Sequence, residues 1–155
     1  MTLTVYTDGG ALNNPGPAAS AYVIYSEGKI IFQEGVYLGP QTNNYAEYTA
    51  VILALEKIKE LFFRHSGEQS DSRIDRIDFI SDSNLLVNQL NGLFKVKNAG
   101  IRELVLKVRV LEQEVNIPVS YTHVLREKNT VADALVKQTL MGLGFRVFIA
   151  ESGSA

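Results

Sequence analysis

The chain has 155 residues, of which 46% are hydrophobic and 21% are charged, and its formal net charge is −2. These values predict one globular domain with a real core, and the slightly negative charge gives no support to nucleic-acid binding. The lack of cysteine excludes disulfides and thiolate metal sites, and only two histidines are present. Any metal would therefore be held mainly by oxygen, which favours Mg²⁺ or Mn²⁺.

The first forty residues predict a β-meander, with strands at 3–7, 21–25 and 30–38 separated by turn signals. Gly39-Pro40 is expected to end the third strand. Apolar residues then recur at steps of three and four, which predicts a helix over 44–63. The opening MTLTVYTDGG has no charged start and apolar run, so it predicts no signal peptide.

The second half of the chain predicts alternating strands and helices: a strand at 76–81, helices at 83–91 and 99–115, a strand at 118–123 and a helix at 130–141. This order predicts an α/β fold with a mixed five-stranded sheet, antiparallel in the meander, parallel at the crossovers and flanked by helices. We place the domain at 1–142 and expect the tail, 143–155, to pack or to pair at a sheet edge. The longest apolar run, AVILAL, is too short to span a bilayer, so we expect a cytoplasmic protein without a membrane partner.

Four acidic residues lie where predicted elements begin or end: Asp8, Glu47, Asp82 and Asp133. Taken singly, each is explained by capping. Asp8 precedes two glycines, and Asp82 precedes a predicted helix. Glu47 has the spacing of a capping box with Asn44, and Asp133 stands at the same distance from Thr130.

Two observations favour one shared site over four separate caps. Glu47 lies on the same helical stripe as the apolar residues of its helix, so its carboxylate should point toward the sheet, where a charge needs a partner or a metal. Asp8 and Asp82 are each predicted to end a strand at the edge where open α/β sheets bind ligands. Local spacing suggests no lysine or arginine partner for any of the four acids, so we predict that they converge on divalent cations.

The motifs DGGALNNPGP, NNYAE, SDS and NTVADAL, in that order, resemble those of the type 1 ribonuclease H family. The resemblance runs from Thr4 to about Leu140, and it is strongest to compact members without a hybrid-binding module or a basic protrusion. It implies a ribonuclease H-like fold in which Asp8, Glu47, Asp82 and Asp133 are catalytic and hold two Mg²⁺ or Mn²⁺ ions, with Asp8 bridging them. The implied reaction is hydrolysis of the RNA strand of RNA–DNA hybrids, leaving 5′-phosphate and 3′-hydroxyl ends.

The resemblance also marks substrate-binding positions: Asn14, Thr42, Asn43, Asn44, Lys95 and Lys97. The asparagines match positions near the hybrid's minor groove, where an amide can donate to and accept from a 2′-hydroxyl. Thr42 matches a DNA phosphate contact, and the two lysines lie where larger relatives carry the basic protrusion. The ordinary alternatives are a turn residue for Asn14, a helix cap for Asn44, a threonine that simply precedes a helix for Thr42, and a solvated charged face for the lysines.

One departure from the family concerns a loop histidine that many relatives carry shortly before the last acid. Here His123 ends a predicted strand, and we expect it to pack in the sheet. Arg126, Glu127 or Lys128 could substitute for the missing histidine, and the sequence does not choose among them.

Other functions remain open at this point. The same fold could cleave double-stranded RNA or branched DNA, or a non-catalytic member could only bind nucleic acid. Retention of all four acids disfavours the non-catalytic alternative. No glycine-rich GxGxxG loop leads from a strand into a helix, which disfavours a nucleotide-cofactor domain. We therefore expect a monomer whose partner is an RNA–DNA hybrid.

Overall fold

The computed structural model describes residues 1–64, 67–69 and 73–143. The predicted tail, apart from its first residue Leu143, therefore lies outside the described residues. The strands are β1 (Thr2–Ala11), β2 (Gly16–Ser26), β3 (Lys29–Gln41), β4 (Arg76–Ser81) and β5 (Val119–His123). The helices are α1 (Asn43–Phe62), α2 (Asn84–Leu90), α3 (Ala99–Val115) and α4 (Thr130–Gln138). A short 3₁₀ turn, Arg126–Lys128, precedes α4, and a π-helical turn, Thr139–Leu143, follows it.

The strands form one sheet in the order β3-β2-β1-β4-β5. The first three strands pair antiparallel, whereas β4 pairs parallel with both β1 and β5. This arrangement confirms the predicted mixed five-stranded sheet. Its central feature is β1, which has an antiparallel neighbour on one side and a parallel neighbour on the other.

Alternating side chains of the sheet build two hydrophobic clusters, one on each face. On one face, Leu3 and Val5 of β1 pack in a large cluster with buried residues of α1 and α3. On the other face, small residues of β2, including Ala19 and Ala21, pack against Ala132 of α4. Helices therefore cover both faces, and no described helix is long and apolar enough to cross a bilayer.

The predicted limits of the first three strands were too short. The hairpin continues the pairing of β1 and β2 as far as Ala11 opposite Ala18. β3 runs through Pro40, which the sequence analysis took as its end. Proline is tolerated there because β3 is an edge strand. Between Ala18 and Ala19 of β2 the register shifts by one residue, which leaves Leu38 of β3 without a partner.

Candidate active site

A cavity of about 700 Å³ opens where β1 and β4 diverge, and all four predicted acids line it. One carboxylate oxygen from each of Asp8, Glu47 and Asp82 lies within 4.8 Å of the others. We call these three residues the acidic trio. Three separate segments of the chain thus bring their charges to one point.

The strand pairing positions two members of the trio. The parallel ladder between β1 and β4 stops at Thr7 opposite Ser81, so Asp8 and Asp82 follow the last paired residues of neighbouring strands. Asp8 does not end its strand as predicted, because it continues to pair with β2. Asp82 is not the cap of α2, since the Ser83 side chain accepts the hydrogen bond from the Leu86 N–H at 3.2 Å. Capping therefore does not occupy the Asp82 carboxylate.

A close approach between β1 and α1 positions Glu47. The Gly9 N–H donates to Glu47 Oε1 at 3.2 Å, and a Cβ on Gly9 would lie 2.4 Å from the Ala46 carbonyl carbon. On the next strand, the buried Ser20 hydroxyl donates to the Ala46 carbonyl oxygen at 2.6 Å. Glycine at position 9 and a small hydroxyl at position 20 thus allow α1 to reach the sheet and place its carboxylate beside Asp8.

The capping box predicted for Glu47 is wrong. Thr42 caps α1, its side chain accepting from the Tyr45 N–H at 3.1 Å, and Asn44 lies inside the helix. Glu47 is buried, as the apolar stripe predicted. Glu47 lines the cavity and does not cap the helix.

The trio is electrostatically unfavourable without a counter-charge. Burial, followed by the charge of Asp82, raises the pKa of Asp8 to about 7. Burial, followed by Asp8, raises the pKa of Glu47 well above its ordinary value, and burial also raises the pKa of Asp82 against the opposing charge of Arg126. Glu47 Oε2 and Asp82 Oδ2 are buried, and neither has a hydrogen-bond partner among the described residues. A hard divalent cation would satisfy these oxygens and relieve the repulsion.

Asp133 lines the cavity but stands apart from the trio. Asn129 fixes the start of α4 beside β1, because its side-chain N–H donates to the Thr7 carbonyl at 2.8 Å. One turn further on, Asp133 pairs with Lys137, whose Nζ lies 2.9 Å from Oδ2. The prediction that the acids have no local partner is therefore wrong for Asp133, whose i,i+4 spacing to Lys137 on a helix signals one. The alternative explanation, in which Asp133 caps α4 together with Thr130, is wrong, because no side chain caps this helix.

The predicted minor-groove asparagines use their oxygens within the protein. Asn43 Oδ1 accepts from the Ala11 N–H at 2.7 Å, and Asn14 Oδ1 accepts from the Asn43 backbone N–H at 2.9 Å. These bonds tie the β1–β2 hairpin to the start of α1. The two amides therefore keep their N–H donors for a ligand, whereas each side-chain oxygen already accepts one hydrogen bond within the protein. Asn43 and Asn44 line the cavity.

The remaining predicted substrate residues, Thr42, Lys95 and Lys97, do not line the active-site cavity. Thr42 is occupied as the cap of α1, a role that the sequence had suggested for Asn44. Lys95 and Lys97 are exposed between α2 and α3, outside the lining of the cavity. Two cations that the sequence analysis did not assign to the substrate line it instead: Arg126, whose Nε lies 3.9 Å from Asp82 Oδ2, and Lys137.

His123 corrects another expectation. It ends β5 opposite Ser81, as predicted, but its side chain is exposed and does not pack in the sheet. The reason is its place as the last residue of β5, which is an edge strand of the sheet. Its charge lowers the pKa of Asp82, so it lies within electrostatic reach of the trio.

Fold and site together define a mixed α/β domain with a carboxylate cluster at the end of neighbouring parallel strands. A family model described as RNase H matches residues 1–141. The chain belongs to the RNase H family.

Curated relatives agree with this family assignment. The chain is 36% identical over 136 residues to Ribonuclease HI of Halobacterium salinarum, covering 87% of this chain and 62% of the relative. It is 28% identical over 142 residues to the Bifunctional protein Rv2228c of Mycobacterium tuberculosis, covering 90% of this chain and 36% of that protein. The chain thus spans less than two thirds of the length of these relatives.

Solved structures share the fold. The crystal structure of LC11-RNase H1 in complex with an RNA/DNA hybrid matches with a TM-score of 0.81 and 35% identity, covering 90% of this chain and 97% of that one. RNase H1 of the halophilic archaeon Halobacterium salinarum matches with a TM-score of 0.80 and 34% identity, covering 92% and 99% of the two chains.

Proposed function

We propose that this chain is a metal-dependent endoribonuclease that hydrolyses the RNA strand of RNA–DNA hybrids and leaves 5′-phosphate and 3′-hydroxyl ends. The observation that carries the proposal is the acidic trio, Asp8, Glu47 and Asp82, at the floor of an open cavity in a chain of the RNase H family. A structural neighbour at 35% identity was solved with an RNA/DNA hybrid. We also propose that the enzyme is a monomer and that it acts in the cytoplasm.

The donor set fits Mg²⁺ or Mn²⁺. Every candidate ligand is a carboxylate oxygen, and two of these oxygens, Glu47 Oε2 and Asp82 Oδ2, are buried without a hydrogen-bond partner among the described residues. In the proposal the acidic trio and Asp133 together hold two such ions, and Asp133 releases Lys137 to do so. Bound cations of this kind lower the pKa of a coordinated water and stabilise charge on a phosphate.

The chain's own residues would orient the hybrid and neutralise its charge. Asn14 and Asn43 present N–H groups, and a donor can bond the 2′-hydroxyl that distinguishes RNA from DNA. Asn44 lines the same wall of the cavity. Thr42, Lys95 and Lys97 remain candidates for phosphate contacts, with Arg126 and Lys137 closer to the carboxylates.

Cleavage assays with Mg²⁺ on four substrates test the Asp8 site directly: an RNA–DNA hybrid, double-stranded RNA, double-stranded DNA and a four-way DNA junction. We expect cleavage of the hybrid, and loss of at least about a hundredfold in rate for Asp8→Asn with unchanged folding. Retained activity in the variant would refute the proposed site. Preference for the RNA duplex or the junction would refute the proposed substrate while leaving the metal site intact.

A further inference from the structure

A second cavity, of about 350 Å³, lies on the α4 face of the sheet. Its lining includes Thr4, Tyr6, Tyr25, Lys128, Thr130 and Val131, and it shares no lining residue with the active-site cavity. We call it the tyrosine cavity. The nuclease reaction proposed above makes no use of it.

Two half-buried tyrosines form one wall of this cavity. The rings of Tyr6 and Tyr25, on neighbouring strands, pack edge to face with centroids 5.5 Å apart. Neither hydroxyl makes a hydrogen bond to the described residues, in contrast to Tyr22, Tyr48 and Tyr121, whose hydroxyls bond Glu34, Gln89 and Glu112. Burial raises the pKa of Tyr25, and a tyrosine hydroxyl is a hydrogen-bond donor at neutral pH even without this shift. The wall thus offers aromatic surface together with free polar groups.

The charge of the tyrosine cavity is positive. Lys128 lines it and makes no ion pair within the described part of the chain, and the hydroxyls of Thr4 and Thr130 lie on the same lining. No acidic side chain lines it. Outside this lining, Glu27 and Glu127 directly precede Gly28 and Lys128 in the chain, and Asp78, opposite Thr4 on β4, is paired with Arg76 Nε at 2.9 Å.

We propose that the tyrosine cavity binds a nucleotide, with the phosphate on Lys128 and Thr130 and the base against the rings of Tyr6 and Tyr25. Any nucleic-acid base can stack on aromatic side chains, and lysine commonly binds phosphate. A neutral aromatic would leave the lysine unused, and an aliphatic anion would leave the rings unused. The volume is at the lower end of that of ligand pockets, which suits one nucleotide and not a longer strand. The nucleotide is either free or the 5′-phosphorylated end of a strand.

The test is a nuclear magnetic resonance titration of the full chain with ¹³C-labelled tyrosine rings. The chain has seven tyrosines, and Tyr6→Phe and Tyr25→Phe assign the two signals of interest. The ligands are AMP, adenosine, inorganic phosphate and a 5′-phosphorylated DNA tetramer. EDTA is present throughout, so that no metal ion can hold phosphate at the acidic trio. We expect AMP to shift the Tyr6 and Tyr25 signals saturably, and adenosine and phosphate to bind at least about tenfold more weakly.

Variants make the assignment specific. Lys128→Met should weaken AMP binding by about tenfold, because one charge-assisted contact is lost. Lys107→Met, at an exposed position on α3, is the matched control and should bind AMP as the unmodified chain does. Tighter binding of the tetramer would assign the site to a strand end, and tighter binding of AMP would assign it to a free nucleotide.

The proposal would be overturned by no saturable shift of the Tyr6 and Tyr25 signals, by equal binding of AMP and adenosine, or by equal binding of AMP by the Lys128 and Lys107 variants. Phosphate binding as tightly as AMP would reduce the site to an anion contact and would overturn it as well. None of these outcomes depends on hybrid cleavage, so failure here is distinguishable from failure of the nuclease proposal.

Discussion

The backbone of Gly9 and the side chain of Glu47 are joined by a hydrogen bond of 3.2 Å across the contact between β1 and α1. The bond exists because the strand carries no Cβ at the point where it meets the helix backbone. The acidic trio therefore depends on a glycine next to Asp8 as much as on the acids themselves.

Replacing Gly9 by alanine should damage both folding and the site. The added Cβ would lie 2.4 Å from the Ala46 carbonyl carbon, and backbone there cannot move without separating α1 from β1. We expect a loss of about 1–3 kcal/mol in the free energy of unfolding and a fall of at least about tenfold in hybrid cleavage. Thermal unfolding and cleavage rates measure the two effects.

Gly10→Ala provides the control for stability, because the nearest atom to its added Cβ is a Val136 methyl at 3.7 Å, an ordinary contact. If Gly9→Ala were as stable as Gly10→Ala, the close contact of strand and helix would not be the constraint described here.

The raised pKa values predict how stability depends on pH in metal-free buffer. The pKa of Asp8 in the folded chain, about 7, lies above its ordinary value of 3.8, so the folded chain binds this proton more tightly than the unfolded chain does. The stability that this proton contributes is fully present below pH 3.8 and is lost as pH rises through 7. We expect the melting temperature with EDTA to fall over this range, and Mg²⁺ to raise it more at pH 8 than at pH 5.

Asp8→Asn should flatten the pH dependence, since it removes the group with the shifted pKa and one repulsive charge. An unmodified chain whose stability rises steadily from pH 4 to pH 8 in EDTA would contradict the described burial of these carboxylates.

The pair between Asp133 and Lys137 predicts a measurable competition with metal binding. Lys137 is 70% exposed, so the pair should contribute no more than about 0.5 kcal/mol to stability. Lys137→Met should therefore leave the metal-free melting temperature almost unchanged while lowering by about twofold the Mg²⁺ concentration that gives half of the thermal stabilisation. A higher Mg²⁺ requirement in this variant would mean that Lys137 assists the site and does not compete with it.

Two variants of Asn14 can distinguish its structural hydrogen bond from its proposed contact with the substrate. Asn14→Asp keeps the acceptor for the Asn43 N–H, whereas Asn14→Ala removes it. We expect both variants to raise KM for the hybrid severalfold, and only the alanine variant to lose about 1 kcal/mol of stability. Steady-state kinetics and thermal unfolding check the two parts. Unchanged KM in both variants would exclude Asn14 from the substrate interface.

Apolar periodicity predicted the elements that depend on local sequence. β4 and α3 have the predicted limits, and Glu47 faces inward as its helical stripe indicated. The lengths of β1 and β3 were not predictable in this way, because pairing with β2 extends them through glycine and proline residues that read locally as turns.

Long-range contacts also decided which parts of the site the sequence could reveal. The close approach of Gly9 to Ala46 joins segments 37 positions apart, and nothing in either motif states it. The capping of α1 by Thr42 was ambiguous among three neighbouring polar residues. By contrast, the partner of Asp133 was visible as an i,i+4 spacing and was missed.

The most direct test of the account is a crystal structure with Mn²⁺, located by its anomalous scattering. The account predicts an Mn²⁺ peak coordinated by oxygens of Asp8, Glu47 and Asp82 together, and the loss of that peak in Asp8→Asn. No peak among the three carboxylates at saturating Mn²⁺, or a peak that survives unchanged in the variant, would contradict it.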